Sequence, residues 1–502
     1  MFDRRRFLKT LAVAVSTPAL GASRNPFTLG VASGYPTPSG VVLWTRLLGM
    51  GDAQPVQWEI ADDEPMRSVV ARGEAIADPA WAHSLHIEVD GLQPERWYWY
   101  RFRARDAESP VGRTRTAPRA ASAPGRLRFA FASCQHYEQG WFSAYRHIAA
   151  DHPDLVVFLG DYIYESSWGA NHVRKQPPEP WSLDEYRLHY AVYKSDRDLQ
   201  AAHAACPWIV TWDDHEVHND YADDLSQDAI PRERFLARRT AAYRAYYEHM
   251  PLPARMRPRM EPGGPHMRIY TELDWGTLAR FHVLDARQHR SYQACRRLWR
   301  KGEGKTVDVA QCPELERPTR SMLGRAQERW LEGTLADSRA AWNVIAQPTP
   351  MAQFDQKPGP GRRAWTDGWD GYPAARKRLL QTFVDRNVSN PIVIGGDVHS
   401  FNVSQLKLDF DDAASPVVAS EFVGTSITSQ AWSHERLAPL LADNPHILLA
   451  DGRRRGYTRV EVTPKLWRSD LRVLDTVQRR ESTCTTLASF AVEDGKPGPQ
   501  RG

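Results

Sequence analysis

Residues 155–166 read LVVFLGDYIYES. Five apolar residues run into Gly160, and then Asp161 and Tyr164 follow. A short apolar run closed by a Gly-Asp turn predicts a strand buried on both faces. The turn needs the glycine and tolerates the aspartate, but it has no use for a phenol three residues further on. Other segments end in the same way. LRFAFASC (127–134) closes on Cys134, WIVTW (208–212) runs into Asp213, Asp214 and His215, and PIVIGG (391–396) runs into Asp397 and His399. Ligands of open α/β sheets sit beyond the carboxyl ends of strands. Four such ends would therefore bring a thiol, carboxylates, a phenol and imidazoles to one crevice.

Each of these features alone has a bland explanation. Gly-Asp is a common turn, a strand-ending cysteine is usually a small core residue, and Asp213-Asp214 could cap a following helix. Together they would have to be four coincidences, whereas a metal cluster accounts for all of them. Clustered carboxylates raise one another's pKa unless a cation neutralises them. Two cations about 3.5–4 Å apart also clamp a phosphoryl centre and activate the attacking water. Asp161 is the natural bridging ligand.

The rest of the chain sets the frame. Residues 24–118 carry short alternating runs (VVLWTRL, VQWEI, LHIEV, WYWYRFRA) broken by Gly, Pro and Asp, which predicts an antiparallel sandwich of about seven strands. A linker at 119–126 leads to a second domain at 127–492. There, short apolar strands alternate with helices near 141–150, 183–205, 325–337 and 374–386, the pattern of an α/β layered domain. VVASEFVG, YTRVEVT and LWRSDLRVL read as further strands, and 493–502 as a disordered tail. Residues 165–182 are an insert expected at the pocket rim.

Residues 1–23 have the basic start, short apolar run and small-residue end of an export signal, and Arg4 to Lys9 resemble a twin-arginine motif. Arg4, Arg5, Arg6 and Lys9 contribute +4 and Asp3 −1, so removal of the signal takes the net charge from +4 to +1. Net charge then gives no reason to expect nucleic-acid binding other than as a substrate. The five cysteines form no CxxC, and Cys295 with Cys312 could close a local loop.

GDYIY matches the GDxxY element of purple acid phosphatases. The wider set of SCQ, GDYIYE, WDDHEVHND, LDARQHRS, LGRAQERWL, WNVIAQ, DGWDGY, NPIVIGGDVH and FVGTSITS resembles the PhoD-type alkaline phosphatases, in that family's order from residue 4 to about 490. The resemblance implies a calcineurin-like metallophosphatase fold behind a smaller all-β sandwich of fibronectin III or Ig type. It also implies Fe3+ with a second divalent cation such as Ca2+. Asp161 would bridge the metals, and Tyr164, Cys134 and His399 would bind iron. Asp214 and Asp397 would hold the second metal, with Asn219 and Asp220 supporting it or binding a third cation. His215 would be the catalytic histidine, Arg287 a phosphate-binding arginine, and Gln347 a weaker candidate ligand.

The implied protein is a periplasmic or secreted phosphomonoesterase or phosphodiesterase. It would be monomeric, exported by the twin-arginine machinery and without a stable membrane anchor. Three alternatives stand beside it: phospholipase D-like headgroup cleavage at the same site, a non-catalytic exported binding protein, and a glycosidase using Asp213 and Asp214.

Overall fold

The structure is a computed structural model that describes residues 25–168, 172–296 and 304–502. The expected export signal at residues 1–23 and part of the 165–182 insert lie outside the described residues. Among the described residues no helix is long and apolar enough to cross a membrane.

Two large sheets lie face to face. In the ten-stranded sheet, Leu127–Ala132, Leu155–Leu159 and Trp208–Thr211 run parallel at the centre. The seven-stranded sheet has Ala279–Val283, Trp342–Ala346, Pro391–Gly395 and Val417–Val423 parallel at its centre. The two-residue period of a strand explains the apolar runs. Leu155, Val157 and Leu159 face the other sheet, where they join Phe129, Phe131, Phe281, Val344 and Ile394 in one core. Val156 and Phe158 face outward into a second core, covered by helices Ala144–Ala150, Leu183–Lys194, Arg197–Ala205 and Arg232–His249. Helices Gly324–Ala336 and Pro373–Asp385 cover the far side of the seven-stranded sheet. Both faces of each central strand are therefore buried, and no polar alternation is left to show.

The first of the long helices starts with a capping box. The Ser182 side chain accepts from the Glu185 N–H, and the Glu185 carboxylate accepts from the Ser182 N–H, worth about 1 kcal/mol.

The N-terminal region forms two antiparallel layers around Val41, Leu43, Val56, Ile60, Tyr98 and Tyr100. It is not separated from the rest by hydrogen bonding. One layer, Val31–Gly34, Val41–Arg46 and Ser84–Val89, continues the ten-stranded sheet through parallel pairing of Gly34 with Trp208.

The expected tail is a correction. Lys496–Arg501 is a strand paired with Cys484–Glu493 across an Asp494-Gly495 turn, and the Gly498 N–H donates to Ser420 Oγ at 2.9 Å. Asp-Gly is a strong two-residue hairpin signal, and Gly495 takes the positive φ of 74° that such turns require. Cys295 and Cys312 are disulfide-bonded, with Cα atoms 6.0 Å apart.

Candidate active site

The strand ends converge as the sequence predicts. Ligating atoms of Cys134, Asp161 and His399 lie within 4.8 Å of one another, as do those of Asp161, Asp214 and His215, and those of Asp214, Asp220 and Asp367. Asp161 and Asp214 each belong to two groups, so the three form a continuous row. The backbone is strained here. Cys134 (φ 59°), Asp161 (57°), Asp397 (68°) and His399 (57°) all occupy the left-handed region, at about 1–3 kcal/mol each. A Cβ on Gly160 would stand 2.6 Å from Asp213 Cβ, so glycine lets the two central loops touch.

Glu216 ties those loops together. Its carboxylate accepts the N–H groups of Asp161 (3.1 Å), Tyr162 (2.6 Å) and Asp213 (2.8 Å). The Tyr164 hydroxyl donates to Asp161 Oδ2 at 2.8 Å and lies 2.9 Å from His399 Nε2. His399 Nδ1 lies 2.6 Å from the Gln430 carbonyl, so Nδ1 carries the proton and Nε2 keeps its lone pair toward the site. Burial also lowers the His399 pKa to about 3, against the pull of that carbonyl, and keeps the ring neutral. His215 stacks on Tyr164 at 4.2 Å, and its Nδ1 meets Glu165 Oε2 at 2.6 Å. Burial works against protonation of His215, yet Glu165, Asp214 and Asp161 outweigh it and raise its pKa well above the usual value.

Three carboxylate oxygens at these strand ends, Asp161 Oδ1, Asp213 Oδ2 and Asp397 Oδ2, are buried without any hydrogen-bond partner; among the described residues, of the three acids only Asp213 has an arginine, Arg287. Burial first, then Asp214 and Asp213, raises the Asp161 carboxyl well above its usual range despite His215. Burial and Asp213 do the same to Asp397, against Arg287. Burial and Asp161 raise the Cys134 thiol, and burial, Asp161 and Cys134 raise the Tyr164 phenol. Buried acids crowded this way fit the binding of cations, which would remove the conflict. At one end thiol, phenol and imidazole are available; at the other, only carboxylate oxygens. The first set suits a softer transition metal and the second a hard cation.

Three expected residues stand differently. Arg287 is fully buried and does not line the cavity. It binds Asp213 Oδ1 at 2.5 Å and Asp367 Oδ2 at 2.6 Å, which makes it an internal counter-ion rather than a phosphate clamp. Gln347 is held by Thr349 and Trp369 and has no part in the row. Asn219 lines the cavity, but its amide donates to Gln227 Oε1 at 2.8 Å and its N–H to Glu165 Oε1 at 2.9 Å. Asp214 and Asp213 cap no helix; the Asp214 carboxylate accepts the N–H of Asp220 at 2.6 Å and of His215 at 3.0 Å.

Sequence reasoning passed over Glu165, Glu216 and Asp367. The first two were within the motifs GDYIYES and WDDHE, and Asp367 opens DGWDGY, so proximity to known motifs was the available signal. The carboxylate row opens into a cavity of about 490 Å3, with Trp168 of the 165–182 insert on its wall.

Residues 129–471 match the PhoD-like phosphatase model, and residues 13–118 match the PhoD-like phosphatase N-terminal domain. The chain is 42% identical to alkaline phosphatase D of Bacillus subtilis (strain 168) over 532 aligned positions, covering 99% of this chain and 88% of that protein. A solved structure described as "Structure of PhoD" superposes with a TM-score of 0.89 at 42% identity, over 95% of this chain and 92% of the other.

Proposed function

The chain belongs to the PhoD-like phosphatase family and is a phosphatase, and on that premise we propose that it is an exported, metal-dependent hydrolase of phosphomonoesters and phosphodiesters with a calcineurin-like arrangement of its two sheets. Cys134, Tyr164 and His399 would hold Fe3+, Asp161 would bridge, and Asp214, Asp397 and Asn219 would hold a second divalent cation such as Ca2+. The observation that carries this reading is the pair of buried, unpartnered oxygens on Asp161 and Asp397. Bound there, two cations would supply charge stabilisation at phosphorus and a water acidic enough to ionise near neutral pH.

The chain's own residues supply the rest. His215, held by Glu165, faces the cavity with its proton retained and can give it to the departing alkoxide. Tyr164, between Asp161 and His399, fixes the spacing of the ligands. Glu216 sets the bridging loop against the Asp213-Asp214 loop through three N–H contacts, which limits reorganisation during the reaction. Arg287 acts behind the site by neutralising Asp213 and Asp367. The signal-like N-terminus supports twin-arginine export to the periplasm or medium.

The test is hydrolysis of one phosphomonoester and one phosphodiester, each with and without a chelator, by wild type and His215→Ala. Chelator-sensitive cleavage is expected, with His215→Ala losing turnover while retaining bound metal. Activity that survives exhaustive chelation would overturn the metal-dependent reading, and a fully active His215→Ala would overturn the role given to that histidine.

A further inference from the structure

The cavity is larger than the chemistry at its metal-ligand end requires. Cavities of about 300–1,000 Å3 enclose drug-sized ligands, and this one, at about 490 Å3, continues from Asp161, Asp214, Asp397 and His399 across the edge of the seven-stranded sheet to Ile447. Strand alternation builds the far floor. In Phe401–Lys407, Phe401 and Val403 point into the core between the sheets, which turns Asn402 and Ser404 to the opposite face, where both line the cavity. Ser404 pairs with Glu421 on one neighbouring strand and with Ile447 on the other, and these also line it. The walls are aromatic, formed by Phe354, Trp365 and Trp432.

Two of the lining residues, Ser404 and Thr349, carry hydroxyls that are buried beneath the lining and lack any hydrogen-bond partner. Neither is a metal-ligand candidate. Buried hydroxyls left unpaired cost roughly 1–3 kcal/mol, and a hydrocarbon covering them would make that cost permanent. Aromatic walls, in turn, favour a flat face that can stack.

We propose that this far compartment binds the alcohol arm of the phosphate ester, and that the preferred arm is a planar-ring alcohol of nucleoside size with a hydrogen-bonding edge. The ring lies against Phe354, Trp365 and Trp432, and its polar edge meets Ser404, Asn402 and Thr349. The proposal rests on the phosphatase reading of the carboxylate end, which anchors the phosphoryl group and so aims the arm. Trp365 and Ser404 are then specificity-determining residues.

The experiment is competitive inhibition of a single reporter phosphate ester on metal-loaded, full-length protein. The competitors are orthophosphate, methyl phosphate, phenyl phosphate and thymidine 5′-monophosphate. Stacking on an aromatic platform predicts that thymidine 5′-monophosphate binds at least about 10-fold tighter than methyl phosphate, with phenyl phosphate between them. Ser404→Val should close the gap between thymidine and phenyl esters, Ser404→Thr should keep it, and Trp365→Ala should narrow both gaps. Inhibition constants for the three esters within about threefold of one another would overturn the proposal, whether or not the variants fold. Failure of orthophosphate itself to compete would instead sink the placement of the phosphoryl group, and the arm with it.

Discussion

Asp367 and Asp161 are both buried carboxylates on loops above the strand ends, and they are neutralised in opposite ways. Asp367 takes Arg287 at 2.6 Å, Arg290 at 3.0 Å and Gln293 at 2.8 Å. Burial works against its ionisation, but the two guanidinium groups win and hold its pKa below the usual value. Asp161 takes one phenolic hydroxyl and leaves an oxygen bare, and its pKa moves the other way. Asp213 stands between the two, bonded to Arg287 on one oxygen and bare on the other, with a pKa raised to about 6 by burial despite that arginine. The difference separates scaffold from site. Asp367, held by two arginines, is complete, whereas Asp161 and Asp397, each buried with an oxygen that no described part of the chain meets, wait for charge from outside it.

The strongest attack on that division is Asp161→Asn. Turnover should fall on the order of 10^3-fold, as for loss of a group that organises charge at the reacting centre, and metal analysis should find less bound metal. In chelator, however, the variant should melt no lower than wild type, because an uncompensated carboxyl has been removed. A variant that keeps its metal and melts several degrees lower would place Asp161 with the scaffold acids.

Arg287→Met tests the other side. It leaves Asp213 without its cation and Asp367 with Arg290 alone; breaking such a buried pair costs about 3–5 kcal/mol, readable by denaturant unfolding. Arg287→Met combined with Asp367→Asn should recover part of the loss. A variant of unchanged stability that fails to bind orthophosphate would return Arg287 to the substrate side.

Metal removal gives a pH signature. The folded-state pKa values of Asp161 and Asp397 lie above the unfolded value of about 3.9. The folded, metal-free protein therefore holds protons that the unfolded chain has released. Its stability is fully present below about pH 4 and is lost as pH rises toward the raised folded values. Chelated protein should lose stability from pH 5 to 8 relative to metal-loaded protein, readable by urea unfolding of both forms across that range. A parallel pH profile for the two forms would break the link between these acids and metal.

What could be read from the sequence follows the same division. The strand-end candidates stood out because glycine turns and reactive side chains were adjacent in sequence. Arg287 did not reveal its role, because a guanidinium reads alike on a surface, against phosphate or inside a salt bridge, and its partners are 74 and 80 residues away. Helix Arg232–His249 was missed for a related reason. Its buried face mixes Arg238, Arg239, Tyr243 and Tyr246 with Phe235, Ala242 and Ala245, which obscures the apolar stripe; Arg238 reaches Tyr186 at 2.8 Å, and Tyr243 stacks on Trp212 at 4.4 Å. The N-terminal boundary looked clean in composition, yet Gly34 pairs across it, and no local pattern announces a long-range strand pairing.

A third buried charge sharpens the comparison from outside both clusters. Lys194 is 1% exposed at the end of Leu183–Lys194, and among the described residues no carboxylate lies within salt-bridge distance. It has the ring of Trp44 at 4.2 Å and that of Tyr162 at 5.4 Å, with the carbonyl end of the helix dipole nearby. Burial lowers its pKa from 10.5 to about 7. Below pH 7 the folded protein carries a charge it would rather shed. Between pH 7 and 10.5 the unfolded chain holds the extra proton, so stability rises with pH across that window. Lys194→Met should therefore be more stable than wild type at pH 7. The desolvation relieved amounts to a few kcal/mol, and the lost cation–π contacts take back about 1–2 kcal/mol. A net gain on the order of 1–2 kcal/mol remains, and it should fade toward pH 10.5. Urea unfolding at pH 7 and pH 10 reads the difference. A loss of stability at pH 7 would mean that ring faces alone can serve a buried cation as fully as Arg287 and Arg290 serve Asp367.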